Sequence, residues 1–96
     1  MINLNVADGT YSLSAEGLRN MAVDLKDGFI VALGKLEDLS DLSPADLFGK
    51  WTDIESGQIF WDKVTHVATV EAATKLGRSI GELAIWDLGK MEEVRL

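Results

Sequence analysis

The sequence contains no cysteine, and this absence excludes two classes of small protein. A disulfide-bonded scaffold and a zinc site with thiolate ligands both require cysteine. Long apolar runs are also missing, because no segment approaches the ~20 consecutive apolar residues of a membrane span. The N-terminal segment has no basic stretch followed by a continuous apolar stretch, as a targeting signal would have. We therefore expect a soluble, intracellular and unprocessed protein.

Basic residues are scarce relative to acidic ones. Sixteen Asp and Glu against nine Lys and Arg give a formal net charge of −7. A field of this sign repels phosphate backbones and anionic lipids, so we expect neither a nucleic acid nor a membrane as partner. The acids are densest between Lys35 and Lys50, where no basic residue intervenes; they are Glu37, Asp38, Asp41 and Asp46. This segment is either a solvated surface or an acidic docking patch for a basic partner.

Ninety-six residues, of which 47% are hydrophobic, suffice for one core, so residues 1–96 are expected to form a single domain. Glycine follows a short polar residue and precedes an apolar, β-prone run at Asp27-Gly28 and at Ser56-Gly57. This pattern is typical of a tight turn that leads into a strand. Aliphatic or aromatic residues alternate with other residues on both sides of Asp8-Gly9 and Gly89-Lys90, so we expect tight turns there as well. The predicted cross-strand pairs are Val6 with Tyr11, Leu4 with Leu13, Leu25 with Ile30, Val23 with Ala32, Ile85 with Val94, and Leu83 with Leu96.

Pro44, the single proline, marks the predicted start of a helix. Ser43 is a natural N-cap, proline suits the first helical position, and Asp46 in the first turn complements the helix dipole. We therefore expect a short helix at 44–49, while residues 14–20 fit a helical turn and a simple connection equally. The predicted fold class is mostly β (β-rich α+β): a small antiparallel barrel of hairpins with one short helix.

Catalytic and metal-binding residues are hard to find in this sequence. Residues 77–81 match the G-x-S-x-G nucleophile elbow, but that motif requires a preceding strand, a following helix and a later histidine. The single histidine, His66, precedes residues 77–81 in the chain. His66, Asp62 and Glu71 could be grouped as a metal site, but the sequence has no second histidine to complete it. We therefore interpret residues 77–81 as a turn and His66 as structural. We expect no enzymatic activity, no metal and no cofactor.

Large aromatic side chains are the remaining candidates. They fit a core, or a protein interface where tryptophan and tyrosine are enriched. Acidic neighbours, rather than basic ones, argue against stacking of nucleic-acid bases on Trp51 and Trp61. The candidate protein-interaction residues are Glu37, Asp38, Asp41, Asp46, Trp51 and Trp61.

One resemblance concerns residues 69–90. The run Ala72-Ala73-Thr74-Lys75-Leu76-Gly77-Arg78-Ser79, followed by Leu83, Trp86 and Gly89-Lys90, resembles the excisionase or MerR-type helix-turn-helix. This resemblance implies a DNA-binding protein with residues 80–88 as its recognition helix. That stretch carries Glu82 and Asp87 and no basic residue, so it has no cationic side chain that could bind a phosphate or a guanine base.

A second resemblance spans roughly residues 23–96. The glycine turn and apolar strand at 27–31, the second such unit at 57–62, the segment 80–84 and the closing strand 93–96 follow in order. This order is similar to that of small β-barrel decoration and head-fibre proteins of tailed-phage capsids. The resemblance implies a structural protein that binds a capsid lattice, often as a trimer, without catalysis.

The functional prediction is therefore a non-catalytic structural or protein-binding module. The favoured form is a phage or prophage virion protein of the capsid-decoration type, located in the cytoplasm or the virion. Its partners would be protein subunits, and we expect a homo-oligomer with a trimer as one form. The alternative is a small acidic adaptor or inhibitor that occupies a basic site on a partner protein. Helix-turn-helix DNA binding is the third candidate.

Overall fold

The computed structural model describes residues 2–14 and 16–96, and seven strands of this part form one antiparallel sheet. They are β1 Gly9–Ser14, β2 Gly17–Asn20, β3 Phe29–Lys35, β4 Leu47–Thr52, β5 Ile59–Val67, β6 Ala84–Asp87 and β7 Glu92–Arg95. Their order across the sheet is β2-β1-β4-β5-β3-β6-β7. A ten-residue helix, α1 Val70–Ser79, and 3-10 turns at Met21–Val23 and Leu39–Asp41 complete the described elements.

The predicted mostly-β fold class is confirmed by this sheet. The sheet is open, with β2 and β7 at its two edges, so the predicted closed barrel is not confirmed. All residues of the edge strand β2 are exposed. The edge strand β7 carries three charged residues, which discourage pairing with further strands.

Two of the predicted hairpins are confirmed, and for one of them the predicted cross-strand pairing is confirmed as well. Ile85 pairs with Val94 across β6 and β7, and the Leu96 amide donates to the Leu83 carbonyl at 3.0 Å. β4 and β5 form the hairpin predicted around Ser56-Gly57, although its loop spans residues 53–58. Both hairpins connect strands that are adjacent in sequence, so their local turn signals also specify the partner strand.

The hairpin predicted at Asp8-Gly9 is wrong. Residues 2–8 form no strand, and β1 pairs instead with β4 and with β2, which lies within the predicted connection 14–20; Ala15 of that connection lies outside the described residues. The Asp8 carboxylate accepts hydrogen bonds from the Thr52 amide and hydroxyl, both at 2.9 Å. Ile2, Leu4 and Val6 alternate because this segment packs one side onto the core without joining the sheet.

The hairpin predicted at Asp27-Gly28 is wrong as well, although Gly28 does lead into the apolar strand β3. β3 pairs with β5 and β6, so Leu25 is not opposite Ile30, and residues 21–23 form a 3-10 turn. Because β1, β4 and β5 lie between β2 and β3, residues 21–28 must cross the sheet. The Ser12 hydroxyl donates to Met21 Sδ at 3.4 Å at the start of this crossing.

The helix predicted at 44–49 is also wrong. Ser43 and Asp46 do contact each other, but through the backbone of Ser43: its amide donates to the Asp46 carboxylate at 2.8 Å, and its carbonyl accepts from the Asp46 amide at 2.9 Å. The chain then enters β4, in which Phe48 is fully buried, so burial in the sheet overrides the local helix signal. The α-helix lies instead at Val70–Ser79, where the Thr69 hydroxyl caps its start by accepting from the Ala72 amide.

Most of the buried residues form two apolar clusters on one face of the sheet, here called the front face, while Ile30 and Val64 are buried on the other face. One cluster contains Tyr11, Leu36 and Phe48, and is covered by residues 2–6 and by Leu39 and Leu42. The other contains Val31, Ala73 and Ile85, where α1 packs on β3 and β6. The opposite face, here called the back face, carries the alternate strand residues, which are Ser12, Ile30, Leu47, Val64 and His66.

Candidate protein-binding surface

The loop between β4 and β5 is built around one aspartate. The Asp53 carboxylate accepts hydrogen bonds from the Glu55 amide at 3.1 Å and from the Ser56 hydroxyl at 2.9 Å. The Asp53 amide donates to the Gln58 carbonyl, and its carbonyl accepts from the Gly57 amide. Gly57 has a φ of 72°, a conformation that favours glycine. Hydrogen bonds therefore hold this loop in a defined conformation.

Ile54 projects from this loop with 98% of its surface exposed. Among the described large hydrophobic residues the next most exposed is Leu83, at 74%. Burial of an isoleucine side chain stabilises by about 1.5–3 kcal/mol, a gain that the free chain does not realise at this position. Isolated exposed hydrophobic residues are common, so the neighbours of Ile54 decide whether it belongs to a larger surface.

Two further exposed hydrophobic residues lie near the end of the same hairpin, on opposite faces of the sheet. Trp51 is 49% exposed on the back face and stacks on Phe60, with ring centroids 4.3 Å apart and planes inclined by 14°. Its indole N–H donates to the Asp62 carboxylate at 3.2 Å. Ile59 is 51% exposed on the front face, opposite Thr52. Trp51, Ile54 and Ile59 together form what we call the apolar tip.

A groove of about 560 Å³ opens beside the apolar tip on the front face. Its apolar walls are Ile2, Leu4, Leu36, Ile59 and Trp61. Lys35 and Glu37 line the same groove, and neither forms an ion pair within residues 2–14 and 16–96. Because Ile59 belongs to both, the groove and the apolar tip are continuous.

Only some of the predicted interaction residues meet at this surface. Trp51 is part of the apolar tip, and Glu37 and Trp61 line the groove. Trp61 also contributes to the core, since its ring centroid lies 6.0 Å from that of Phe48. The other predicted residues, Asp38, Asp41 and Asp46, lie in the connection between β3 and β4 and do not line the groove.

Two acids of that connection have local structural roles. The Asp38 carboxylate accepts from the Ser40 amide at 2.8 Å, and this hydrogen bond holds the pKa of Asp38 below its ordinary value. Asp46 accepts from the Ser43 amide and pairs with the Lys63 ammonium at 3.1 Å. These two contacts, the backbone hydrogen bond first, hold the pKa of Asp46 below its ordinary value. Both carboxylates are therefore used within the fold.

Asp46 should make the stability of the protein sensitive to acid. Its folded-state pKa lies below the ordinary 3.8, so its contribution is complete above that value and is lost as the pH falls through the folded-state pKa. We expect Asp46→Asn to reduce the loss of Tm between about pH 5 and about pH 2. Thermal unfolding followed by circular dichroism measures this. Asp41→Asn is the control, and equal pH dependence in wild type and Asp46→Asn would contradict the assignment.

The glycines of the G-x-S-x-G sequence are explained by the end of α1. A Cβ on Gly77 would lie 2.6 Å from Leu96 Cδ1 and 3.3 Å from Ile85 Cγ2, so glycine permits close approach of α1 to the sheet. Gly81, with a φ of 82°, ends the helix, and the Glu82 amide donates to the Gly77 carbonyl at 2.9 Å. Ser79 is the last residue of α1 and does not lie in the strand-to-helix turn of a nucleophile elbow.

The residues considered for a metal site lie on different faces of the sheet. His66 is on the back face, and its Nε2 lies 2.8 Å from the Asp27 carbonyl oxygen. Asp62 shares that face, as the even spacing predicts, and accepts from the indole of Trp51. Glu71 belongs to α1, which packs on the front face. Within the described chain, no group of three or more His, Cys, Asp or Glu side chains could hold a metal ion.

The helix-turn-helix resemblance is wrong in its second half. α1 coincides with the first helix of that motif, but residues 80–88 contain strand β6 where a recognition helix would lie. β6 pairs with β3 on one side and with β7 on the other, so it is an interior strand of the sheet. The turn at Gly89-Lys90 and its matched apolar flanks predict this strand pair correctly.

No protein-family model, curated protein or solved structure matches this chain. Its function is therefore inferred from its own residues and their geometry. Among the described residues, no helix has the length and apolar character needed to cross a lipid bilayer.

Two residues that distinguish this surface do not stand out in the amino-acid sequence. Ile54 and Ile59 were not among the predicted interaction residues, and the groove requires contact between residues 2–4 and 59–61, which are distant in sequence. A local signal for Ile54 does exist. It lies between Asp53 and the predicted turn at Ser56-Gly57, where the neighbouring residues are polar, so an isoleucine there indicates exposure.

Proposed function

We propose that this chain is a non-catalytic protein-binding module that docks through its apolar tip. The observation that carries the proposal is Ile54, which is 98% exposed on a loop fixed by the hydrogen bonds of Asp53. A loop that is already ordered loses little conformational entropy on binding. Burial of Ile54 in a partner would also recover the apolar transfer free energy that the free chain does not gain.

Trp51 supports the same role. Tryptophan is enriched among the residues that dominate protein interfaces, because it offers a large apolar area on a side chain with few rotatable bonds. Stacking on Phe60 and the hydrogen bond to Asp62 fix the orientation of the Trp51 ring before any partner arrives. Its exposed half is thus an ordered apolar surface on the hairpin that also carries Ile54.

The assembly that we propose for this module is a virion, with the chain acting as a capsid-decoration protein. The order of glycine turns and strands between residues 23 and 96 supports this role, and so does the mostly-β fold. The net charge of −7 favours protein subunits over nucleic acid as the partner. A homo-oligomer on a capsid lattice, in the cytoplasm or in the virion, is the corresponding proposal.

Co-sedimentation with capsid shells tests this function. The shells would be assembled from the major capsid protein encoded in the same genome. We expect the wild-type chain to pellet with the shells and Ile54→Asp to bind at least about tenfold more weakly, since charge replaces a central apolar anchor. Leu83→Asp, a change at the next most exposed hydrophobic residue, is the matched control and should pellet like wild type. Equal binding by Ile54→Asp and Leu83→Asp would reject the apolar tip as the docking element.

An acidic adaptor that binds a basic partner protein is the second candidate. Its docking patch would be the connection between β3 and β4. Asp38 and Asp46 make local contacts there, which leaves Glu37 and Asp41 as the carboxylates without a described hydrogen bond or ion pair. Two separate carboxylates form only a small charged surface. We therefore favour docking through the apolar tip over docking through this connection.

A further inference from the structure

We propose that Asp27-Gly28 is a site of spontaneous covalent modification, at which the aspartate rearranges to isoaspartate. The sequence contains two Asp-Gly pairs, Asp8-Gly9 and Asp27-Gly28. In such a pair an aspartate reacts readily with its own main chain, because glycine has no side chain to hinder the amide nitrogen that follows. This modification is separate from protein binding and does not depend on it.

The rearrangement needs no enzyme and no co-reactant other than water. The Gly28 amide nitrogen attacks Cγ of the protonated Asp27 carboxyl group, a C–N bond forms, and the carboxyl hydroxyl leaves as water with the amide proton. The product is a cyclic imide, which water then opens. Opening at Cγ restores aspartate. Opening at the main-chain carbonyl carbon leaves the chain running through Cγ, as isoaspartate of unchanged mass.

The fold restrains one of the two Asp-Gly pairs and not the other. The Asp8 carboxylate accepts from the Thr52 amide and hydroxyl, both at 2.9 Å. Asp27 is exposed, and within residues 2–14 and 16–96 neither its carboxylate nor the Gly28 amide has a hydrogen-bond partner. Reaction at Asp8 therefore requires hydrogen bonds to a charged group to break first, whereas reaction at Asp27 does not.

His66 acts on the peptide group that reacts at Asp27. Its Nε2 lies 2.8 Å from the Asp27 carbonyl oxygen, and since a carbonyl only accepts, this nitrogen carries the proton and donates. The same peptide group contains the Gly28 nitrogen, which loses its proton during the attack. A donor on the carbonyl oxygen stabilises the negative charge that the peptide group then acquires. His66 therefore favours the reaction at Asp27.

Isoaspartate at position 27 would weaken the start of β3. The methylene that it adds to the main chain displaces the Asp27 carbonyl from His66 and the Gly28 carbonyl from the Leu88 amide, which donates to it at 3.0 Å. β3 pairs with both β5 and β6, so its start is part of the interior of the sheet. We expect the modified chain, separated by reversed-phase chromatography and refolded, to have a lower Tm than the unmodified chain.

Ageing of the purified full chain at neutral pH and physiological temperature tests the site. An isoaspartyl methyltransferase with a labelled methyl donor detects isoaspartate, and mass spectrometry of peptides locates it. In the folded chain we expect Asp27 to rearrange at least about tenfold faster than Asp8, because two hydrogen bonds hold the Asp8 carboxylate. In urea, where the fold restrains neither pair, the two should rearrange at comparable rates.

Two variants separate the contributions at this site. Asp27→Ser removes the reacting carboxyl group and should reduce methyl incorporation to the level that Asp8 alone gives. His66→Phe keeps an aromatic ring but has no donor, and should slow the reaction at Asp27 about threefold or more in the folded chain while leaving it unchanged in urea. Circular dichroism verifies that both variants are folded.

The wild-type chain alone suffices to overturn the modification site. Absence of isoaspartate at position 27 in the aged, folded chain would do so, and so would equal rates at Asp8 and Asp27. A rate at Asp27 that is unchanged or raised in folded His66→Phe would reject the contribution of His66.

Discussion

Replacing Phe48 by alanine should remove about 3–5 kcal/mol from the free energy of unfolding. Phe48 is fully buried in β4, and its ring lies between those of Tyr11 and Trp61, with centroid distances of 5.9 and 6.0 Å. Deletion of the ring leaves a cavity that three strands and the covering segment 2–6 cannot close without moving. Because native proteins are stable by only about 5–15 kcal/mol, the loss is a large fraction of the whole stability.

Urea unfolding followed by tryptophan fluorescence and circular dichroism measures the effect of Phe48→Ala. Leu83→Ala is the control, because Leu83 is 74% exposed and its truncation should change the free energy by no more than about 0.5 kcal/mol. A loss below about 1 kcal/mol for Phe48→Ala would show that the cluster around Tyr11 and Phe48 does not form the core of this half of the sheet.

Replacing Gly28 by alanine should cost about 2–4 kcal/mol for two reasons. The φ of Gly28 is 83°, in a region that L side chains rarely adopt. An alanine Cβ would also lie 2.5 Å from His66 Nε2 and 3.0 Å from the Val67 carbonyl oxygen. His66 cannot move aside freely, because its Nε2 is hydrogen-bonded to the Asp27 carbonyl.

Gly57→Ala separates these two contributions. Gly57 has a similar φ of 72°, but an added Cβ there would meet no atom within 4 Å. We therefore expect Gly57→Ala to lose only the backbone contribution of about 1 kcal/mol, and Gly28→Ala to lose clearly more in the same urea titration. Equal losses would mean that the contact between Gly28 and His66 does not constrain the turn.

The sequence predicts two hairpins in which the partner strand is next in the chain. Gly89-Lys90 and its aliphatic flanks predict the pairing of Ile85 with Val94, because a hairpin turn fixes which residues face each other. The hairpin around Ser56-Gly57 is predictable for the same reason. In both cases local turn chemistry and the tertiary fold agree.

The sequence does not predict the fold where a turn leads into a strand whose partners are distant in the chain. Gly28 does introduce β3, but the partners of β3 are β5 and β6, which local sequence does not specify. The Ser43 amide does donate a hydrogen bond to the Asp46 carboxylate, yet burial of Phe48 in the sheet prevents the helix that these residues predict. These signals describe a few residues correctly, while the packing of the whole sheet decides the conformation of the residues after them.

The residue types of the candidate site are predictable from the sequence, whereas its long-range contacts are not. Trp51, Trp61 and Glu37 were identifiable as residue types that suit an interface, and they do lie at the apolar tip or in the groove. The groove itself forms because residues 2–4 pack beside β5 and the end of β3, a contact between parts of the chain that are far apart in sequence. No local pattern reports such a contact.

Site-specific photo-crosslinking at position 54 tests the central claim most directly. A photoreactive residue would replace Ile54 in one variant and the similarly exposed Leu83 in a control variant, and both would be irradiated in the cells that produce the protein. We predict one discrete protein adduct from position 54 and none from position 83. The absence of an adduct at position 54, or the same adducts at both positions, would contradict a docking role for the apolar tip.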